Sequence, residues 1–267
     1  MDYLWILLIV SLAASAVGWI YFIYFFSIGY GLAIAALATT TIIIFANNIT
    51  LPAIIFCCTL FIYGLRLATY LLIREKSSAS YKKILYQPDK AEKKSTKTML
   101  MIWISCALLY IGQTSPITFY LHNLKTGTTT NDAWVWTGAI IAIIGLAIET
   151  VADVQKSIAK KRSPNLYVDN GLYRIVRCPN YFGELVIWSG SFITCFSANC
   201  TPWQWFIASL GFGGIIYVMF SGARRLELRQ ADIYGSNPNF QEYTKHTPLI
   251  IPLLPIHSLA KLTWLKA

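Results

Sequence analysis

Gly171-Leu172-Tyr173-Arg174-Ile175-Val176-Arg177-Cys178-Pro179-Asn180-Tyr181-Phe182-Gly183-Glu184 follows one long apolar run, 134 to 155, after a short polar approach, and leads into another, 180 to 198. A spanning helix needs about 20 mostly apolar residues. The two runs therefore read as one helix leaving a bilayer and the next entering it, with a basic connector exposed between them. Pro179 sits where a helix start tolerates proline best, because the first turn has no use for its missing N–H. Further runs at 3 to 26, 31 to 47, 51 to 73, 98 to 121 and 203 to 222 complete the pattern. The expected fold is all-α: a polytopic membrane protein of about seven transmembrane helices in one bundle, a single membrane domain over 1–267.

Composition agrees. The 267 residues are 56% hydrophobic and 13% charged, too apolar for a soluble domain of this size. The formal charge of +10 is read by position, since Lys and Arg gather on cytoplasmic loops. Apart from Arg66 and Lys125, all the basic residues fall within 74 to 97, 156 to 177 and 224 to 266. Seven spans put those three segments on one side. The rule makes that side cytoplasmic, with the N-terminus outside and the C-terminus inside, as in a bacterial inner membrane. The charge is thus a topology signal and no nucleic-acid footprint. The basic stretch 74 to 97 reads as a solvated loop in preference to a lipid-headgroup site.

Six cysteines form no CxxC pair and have no histidine at zinc spacing, so they read as small packing residues and no metal is expected. The N-terminus lacks the basic start of a cleavable signal and reads as a retained first helix. The tail 248 to 265, with Pro248, Pro252, Pro255 and Trp264, reads as interfacial.

Ionisable groups inside a span cost roughly 2.5 to 3.5 kcal/mol each, so each needs a reason. Arg66 lies in the third run, Glu149 and Asp153 in the fifth, and Asn180 and Glu184 open the sixth. Glu149 and Asp153 are four residues apart, which stacks them on one helix face; Asn180 and Glu184 repeat the spacing. Both faces lie near the cytoplasmic surface and outline a polar cavity opening toward it. For any single residue, neutralisation by Arg66 or snorkelling to the interface serves as well. For the whole set, on one side and joined by a polar connector, a cavity accounts for more. Arg can hold phosphates, Tyr can stack, and Asn and Glu can bind an amide.

The connector resembles the GLYxxxRxPNYFGE signature of the steroid 5α-reductase C-terminal domain family, including bacterial members of unassigned substrate. That fold is related to the isoprenylcysteine carboxyl methyltransferases. The resemblance extends upstream to Glu149-Thr-Val-Ala-Asp153 and downstream to Tyr243 and Pro252, covering 140 to 255 as a cofactor-binding region. It implies a seven-helix bundle that binds NADPH near the cytosol and reduces a carbon–carbon double bond conjugated to a carbonyl. Asn180 and Glu184 would bind the nicotinamide end and Asp153 would lie near the cofactor. Tyr173, Arg174, Arg177 and Tyr181 would shape the phosphate and ribose site, with Glu149 and Arg66 lining the same cavity. Most bacterial relatives have His where Cys178 stands.

Tyr63-Gly-Leu-Arg66-Leu-Ala-Thr-Tyr70 resembles the family's Tyr-x-x-Arg-x-x-x-Tyr pattern. It makes Tyr63 the candidate catalytic acid, protonating the substrate as hydride reaches the β-carbon; an interior Tyr satisfied by a neighbour is the equal alternative. The steroid enzymes pair that Tyr with a Gln-Glu dipeptide earlier in the chain. Here no Gln precedes Gln87 and no Glu precedes Glu75, which argues against a steroid as natural substrate. The expected partners are an apolar small molecule from the bilayer, lipid, terpenoid or steroid-like in character, and membrane lipids. An S-adenosylmethionine-dependent methyltransferase of the isoprenylcysteine type is the alternative, against which the Asn-Tyr-Phe-Gly-Glu ending and Cys178 speak. A non-catalytic lipid-binding relative is the third.

Overall fold

The structure is a computed structural model describing residues 2–77, 95–198 and 200–265. Most of the basic stretch expected to be a solvated loop, 78 to 94, lies outside the described residues. The described chain is helical, with no strand beyond an isolated bridge between Thr130 and Ala198. Its α-helices are α1 (Asp2–Ser15), α2 (Ile28–Ile44), α3 (Leu51–Ser77), α4 (Thr96–Lys125), α5 (Asp132–Arg162), α6 (Pro179–Ile193), α7 (Pro202–Tyr234) and α8 (Pro238–His246).

Four helices, α3, α4, α5 and α7, are long and apolar enough to cross a membrane, the signature of an integral membrane protein. The expected count of seven is not reached on length: α1, α2 and α6 have 14, 17 and 15 residues. At about 1.5 Å per residue these are shorter than a bilayer's roughly 30 Å apolar thickness. The continuous first run, 3 to 26, is also broken. After Ser15 it becomes two 3-10 turns, Ala16–Trp19 and Phe22–Phe26. A Cβ on buried Gly18 would stand 1.9 Å from the Phe25 ring, so the ring packs directly onto this break at a residue that is itself a poor helix former. Conversely α5 and α7 run past their apolar windows into charged turns, because Lys, Arg, Glu and Gln are good helix formers.

The chain divides into two compact units: Met1–Ala139 with Ser191–Phe212, and Ile140–Gly190 with Gly213–Ala267. In the first, α2 and α3 pack through small residues. A Cβ on Gly31 would lie 2.5 Å from the Gly64 carbonyl oxygen, and one on Gly64 2.3 Å from that of Gly31. Such close backbone approach is the usual way helices associate where lipid removes the hydrophobic incentive. Pro116 sits inside α4 and cannot donate to the Gly112 carbonyl; the Ser115 hydroxyl donates to it instead, at 2.8 Å.

In the second unit, α5 and α6 cross at glycines. A Cβ on Gly145 would stand 2.6 Å from the Gly183 carbonyl oxygen, and one on Gly183 would be 2.7 Å from the Glu149 nitrogen. This crossing positions the site.

Candidate cofactor site

Glu149 and Asp153 follow Gly145 at one-turn intervals along α5, while Glu184 adjoins Gly183 on α6. The glycine contact therefore draws the two polar faces together. Glu149, Asp153 and Glu184 are all buried, and Asn180, in the first turn of α6, is partly buried. Three carboxylates at such depth are costly to hold as charges unless hydrogen-bonded groups meet them. As a set they are acceptors suited to the N–H of an amide and the hydroxyls of a sugar.

The connector is fixed from three directions. Gly171 takes the left-handed φ of 60°, and a Cβ there would lie 2.4 Å from Gln155 of α5. Only glycine suits both demands. The Gln155 Oε1 accepts the Leu172 N–H at 2.9 Å, and the Tyr173 hydroxyl donates to the Ala152 carbonyl at 3.3 Å. From α8, the Tyr243 hydroxyl donates to the Tyr173 carbonyl at 2.6 Å, and burial raises the Tyr243 phenol above its ordinary range. Tyr243 stacks on Tyr167, with Tyr234 and Phe240 closing the aromatic cluster. From the tail, the Pro248 and Leu249 carbonyls accept the N–H groups of Arg177 and Cys178, both at 2.9 Å.

Arg177 is the buried centre of this arrangement. Its guanidinium donates to the His257 carbonyl and lies 3.8 Å from a Glu227 carboxylate oxygen on α7. The other Glu227 oxygen accepts the Leu259 N–H at 2.9 Å, and Arg224 donates to the carbonyls of Ala260 and Leu265. Arg177 thus holds the tail against the connector, whereas Arg174 is exposed. Cys178, where most bacterial relatives are expected to have His, is buried, and burial pushes its thiol up to about 12. A protonated thiol there fills space and is no nucleophile.

Tyr181 lies beside Gly222 of α7, where a Cβ would be 3.5 Å from its ring. Glu149, Asp153, Tyr173, Arg174, Arg177, Asn180, Tyr181 and Glu184 all belong to this second unit. Tyr63 and Arg66 belong to the first. There Tyr63 is fully buried and donates to the Tyr30 hydroxyl at 3.1 Å; Tyr30 in turn packs on Tyr110, ring centres 5.0 Å apart. Arg66 is partly buried one turn further along α3.

The sequence did not point to Gln155, Glu227 as a tail anchor, or Gln113. Gln113 is buried in α4, one turn beyond Tyr110, and neither atom of its amide meets a hydrogen-bond partner among the described residues. An uncharged amide inside an apolar run was the available signal.

No solved structure matches the chain. Among characterised proteins it is similar to the "Steroid 5-alpha-reductase DET2" of Gossypium hirsutum, 27% identical over 119 residues. That match takes in 44% of this chain and 41% of the cotton protein, so the chain spans well under half of the relative it matches. A family signature covers far more, residues 19–247, and the chain belongs to that family, described as "Protein of unknown function (DUF1295)".

Proposed function

We propose that this protein is a membrane-embedded, NADPH-dependent reductase of a carbon–carbon double bond conjugated to a carbonyl in an apolar substrate. The observation that supports it is the glycine crossing of α5 and α6, which brings Glu149 of α5 against Gly183, in the α6 turn that carries Asn180 and Glu184, next to a connector pinned at Gly171, Tyr173 and Arg177. The similarity to a plant steroid 5-alpha-reductase supports the reaction class.

The donor set fits a dinucleotide. Asn180 and Glu184 would hold the carboxamide end, and Glu149 and Asp153 would accept from ribose hydroxyls. Exposed Arg174 would meet phosphate, with Tyr173 and Tyr181 shaping the walls around it. Arg177 orders the connector that carries these groups. NADPH supplies a hydride, which no protein side chain can. The chain's own contributions are binding, orientation and exclusion of water. Tyr63 delivers a proton as negative charge develops on the substrate, with its hydroxyl oriented by Tyr30.

The short helices α1, α2 and α6 complete a seven-span topology, N-terminus outside, with the site facing the cytosol of a bacterial inner membrane. The test is thermal stability of the detergent-purified protein with NADPH, NADH or S-adenosylmethionine, since a ligand of the native state stabilises it by mass action. Stabilisation by NADPH supports the reading; stabilisation by S-adenosylmethionine alone replaces it with a methyltransferase.

A further inference from the structure

Two of the six cysteines stand apart from the rest. Cys195 is buried in the 3-10 turn Thr194–Ser197 that ends α6, and Cys200 is partly buried two residues before α7 begins. The Cys200 thiol donates to the Cys195 carbonyl at 3.5 Å, which brings the Cys200 sulfur against residue 195 across a separation of five residues. Among the described residues no group of three or more His, Cys, Asp or Glu gathers as metal ligands, so a metal does not account for the pair.

The surrounding turn is fixed on both flanks, all within the first unit. Asn131 N–H donates to the Ser197 carbonyl at 2.6 Å, and Thr130 bridges Ala198. On the far side Thr201 N–H donates to Gln204, whose amide exchanges hydrogen bonds with Asn123 at 3.2 and 3.4 Å. Thiols on so constrained a turn meet without a search through alternative loop conformations. The segments at this rim, 122 to 133 and 199 to 202, contain a single basic residue, Lys125. By the positive-inside rule the rim faces away from the cytoplasm, where disulfides form and persist.

We propose that Cys195 and Cys200 form a disulfide at the non-cytoplasmic turn between α6 and α7. Cys200 is the more accessible thiol, and its hydrogen bond from Cys195 lowers it from its ordinary range, favouring the attacking thiolate. The oxidant is the disulfide of a thiol–disulfide carrier in that compartment. Cys200 Sγ bonds to one carrier sulfur as the carrier's S–S bond breaks, releasing the other carrier sulfur as a thiolate. Cys195, losing its proton, then displaces the carrier from Cys200. The Cys195–Cys200 bond forms, both carrier sulfurs leave as thiols, and two electrons and two protons have passed to the carrier. The bond closes the α6–α7 turn, which the Asn131–Ser197 hydrogen bond and the Thr130–Ala198 bridge hold to the loop between α4 and α5. It requires the proposed orientation but not the reductase reading.

The test is trapping in native membranes with N-ethylmaleimide before any reductant, followed by peptide mass spectrometry. The expected peptide carries no label on either cysteine, is lighter by two hydrogens than the dithiol, and takes two labels only after reduction. Two labels without reduction overturn the proposal. A titration of the reduced, purified protein with oxidised glutathione then says why. Ready conversion to the intramolecular bond would show that the geometry is right and the orientation wrong. A glutathione adduct persisting on Cys200 would show that the geometry itself fails. Persistence of activity or cofactor binding in Cys200→Ser keeps this outcome separate from the fate of the reductase reading.

Discussion

Gly145 and Gly183 are in backbone contact, with room for no side chain between them: a Cβ on the second would meet the Glu149 nitrogen at 2.7 Å and the Gly145 carbonyl oxygen at 2.8 Å. The obstructing atoms are backbone, which cannot swing aside. Gly183→Ala therefore forces α5 and α6 apart and moves Glu149 away from the first turns of α6. Overpacking of this kind costs about 1 to 3 kcal/mol. The expected result is a lower midpoint of thermal unfolding in detergent together with loss of NADPH-induced stabilisation. A variant as stable and as responsive as the parent would remove the crossing from the account.

Arg177 and Glu227 should behave as a buried couple. Removing one partner strands the other, and such losses run to about 3 to 5 kcal/mol. Arg177→Met is expected to destabilise strongly and to free the tail, seen as faster proteolysis between 248 and 265. The double variant Arg177→Met with Glu227→Gln is expected to recover part of the loss, since no lone charge remains. Equal instability of single and double variants would mean the pair is not coupled.

Cys178 predicts a pH dependence. Its thiol has an ordinary value of 9.0 in the unfolded chain and about 12 when buried. Between those limits the native state keeps a proton that the unfolded state loses, so its contribution to stability falls as pH rises through that window and is constant below it. Cys178→Ala should show a shallower loss of stability above pH 9. A thiol-labelling time course at pH 8 should find Cys178 unreactive until the protein is denatured.

Tyr63 and Gln113 should separate chemistry from stability. Tyr63→Phe leaves the packing intact and removes one hydrogen bond, worth about 1 kcal/mol. It is expected to lower enone-dependent NADPH oxidation by about 10²-fold or more, with cofactor affinity unchanged. Gln113→Leu removes an amide buried without a hydrogen-bond partner among the described residues, so it should hold or raise thermal stability by about 1 kcal/mol. Full activity in Tyr63→Phe would remove it as the acid.

Much of the second unit was legible because its signals are local. Pro179 marks the helix start, and the four-residue spacings put the polar residues of α5 and α6 on single faces. The partners of Arg177 were not legible: Glu227 and the His257 carbonyl lie 50 and 80 residues away, and no spacing rule reaches that far. The resemblance implied a place for it at the phosphate and ribose site but said nothing of the carboxylate of the chain itself that its guanidinium faces. The break after Ser15 was equally hidden, since residues 16 to 26 contain no proline or charge and the Gly18–Phe25 packing is a tertiary contact. Gln113 carries no charge and stands in an apolar run without a second polar residue four positions away to mark a face.

The central claim is that the α5–α6 crossing grips a dinucleotide, and equilibrium titration of NADPH into the purified protein tests it most directly. The account predicts saturable binding in the parent protein that weakens at least tenfold in Asn180→Ala and in Glu184→Ala, with both variants still folded. Undiminished binding in both, or no binding by the parent, would contradict it.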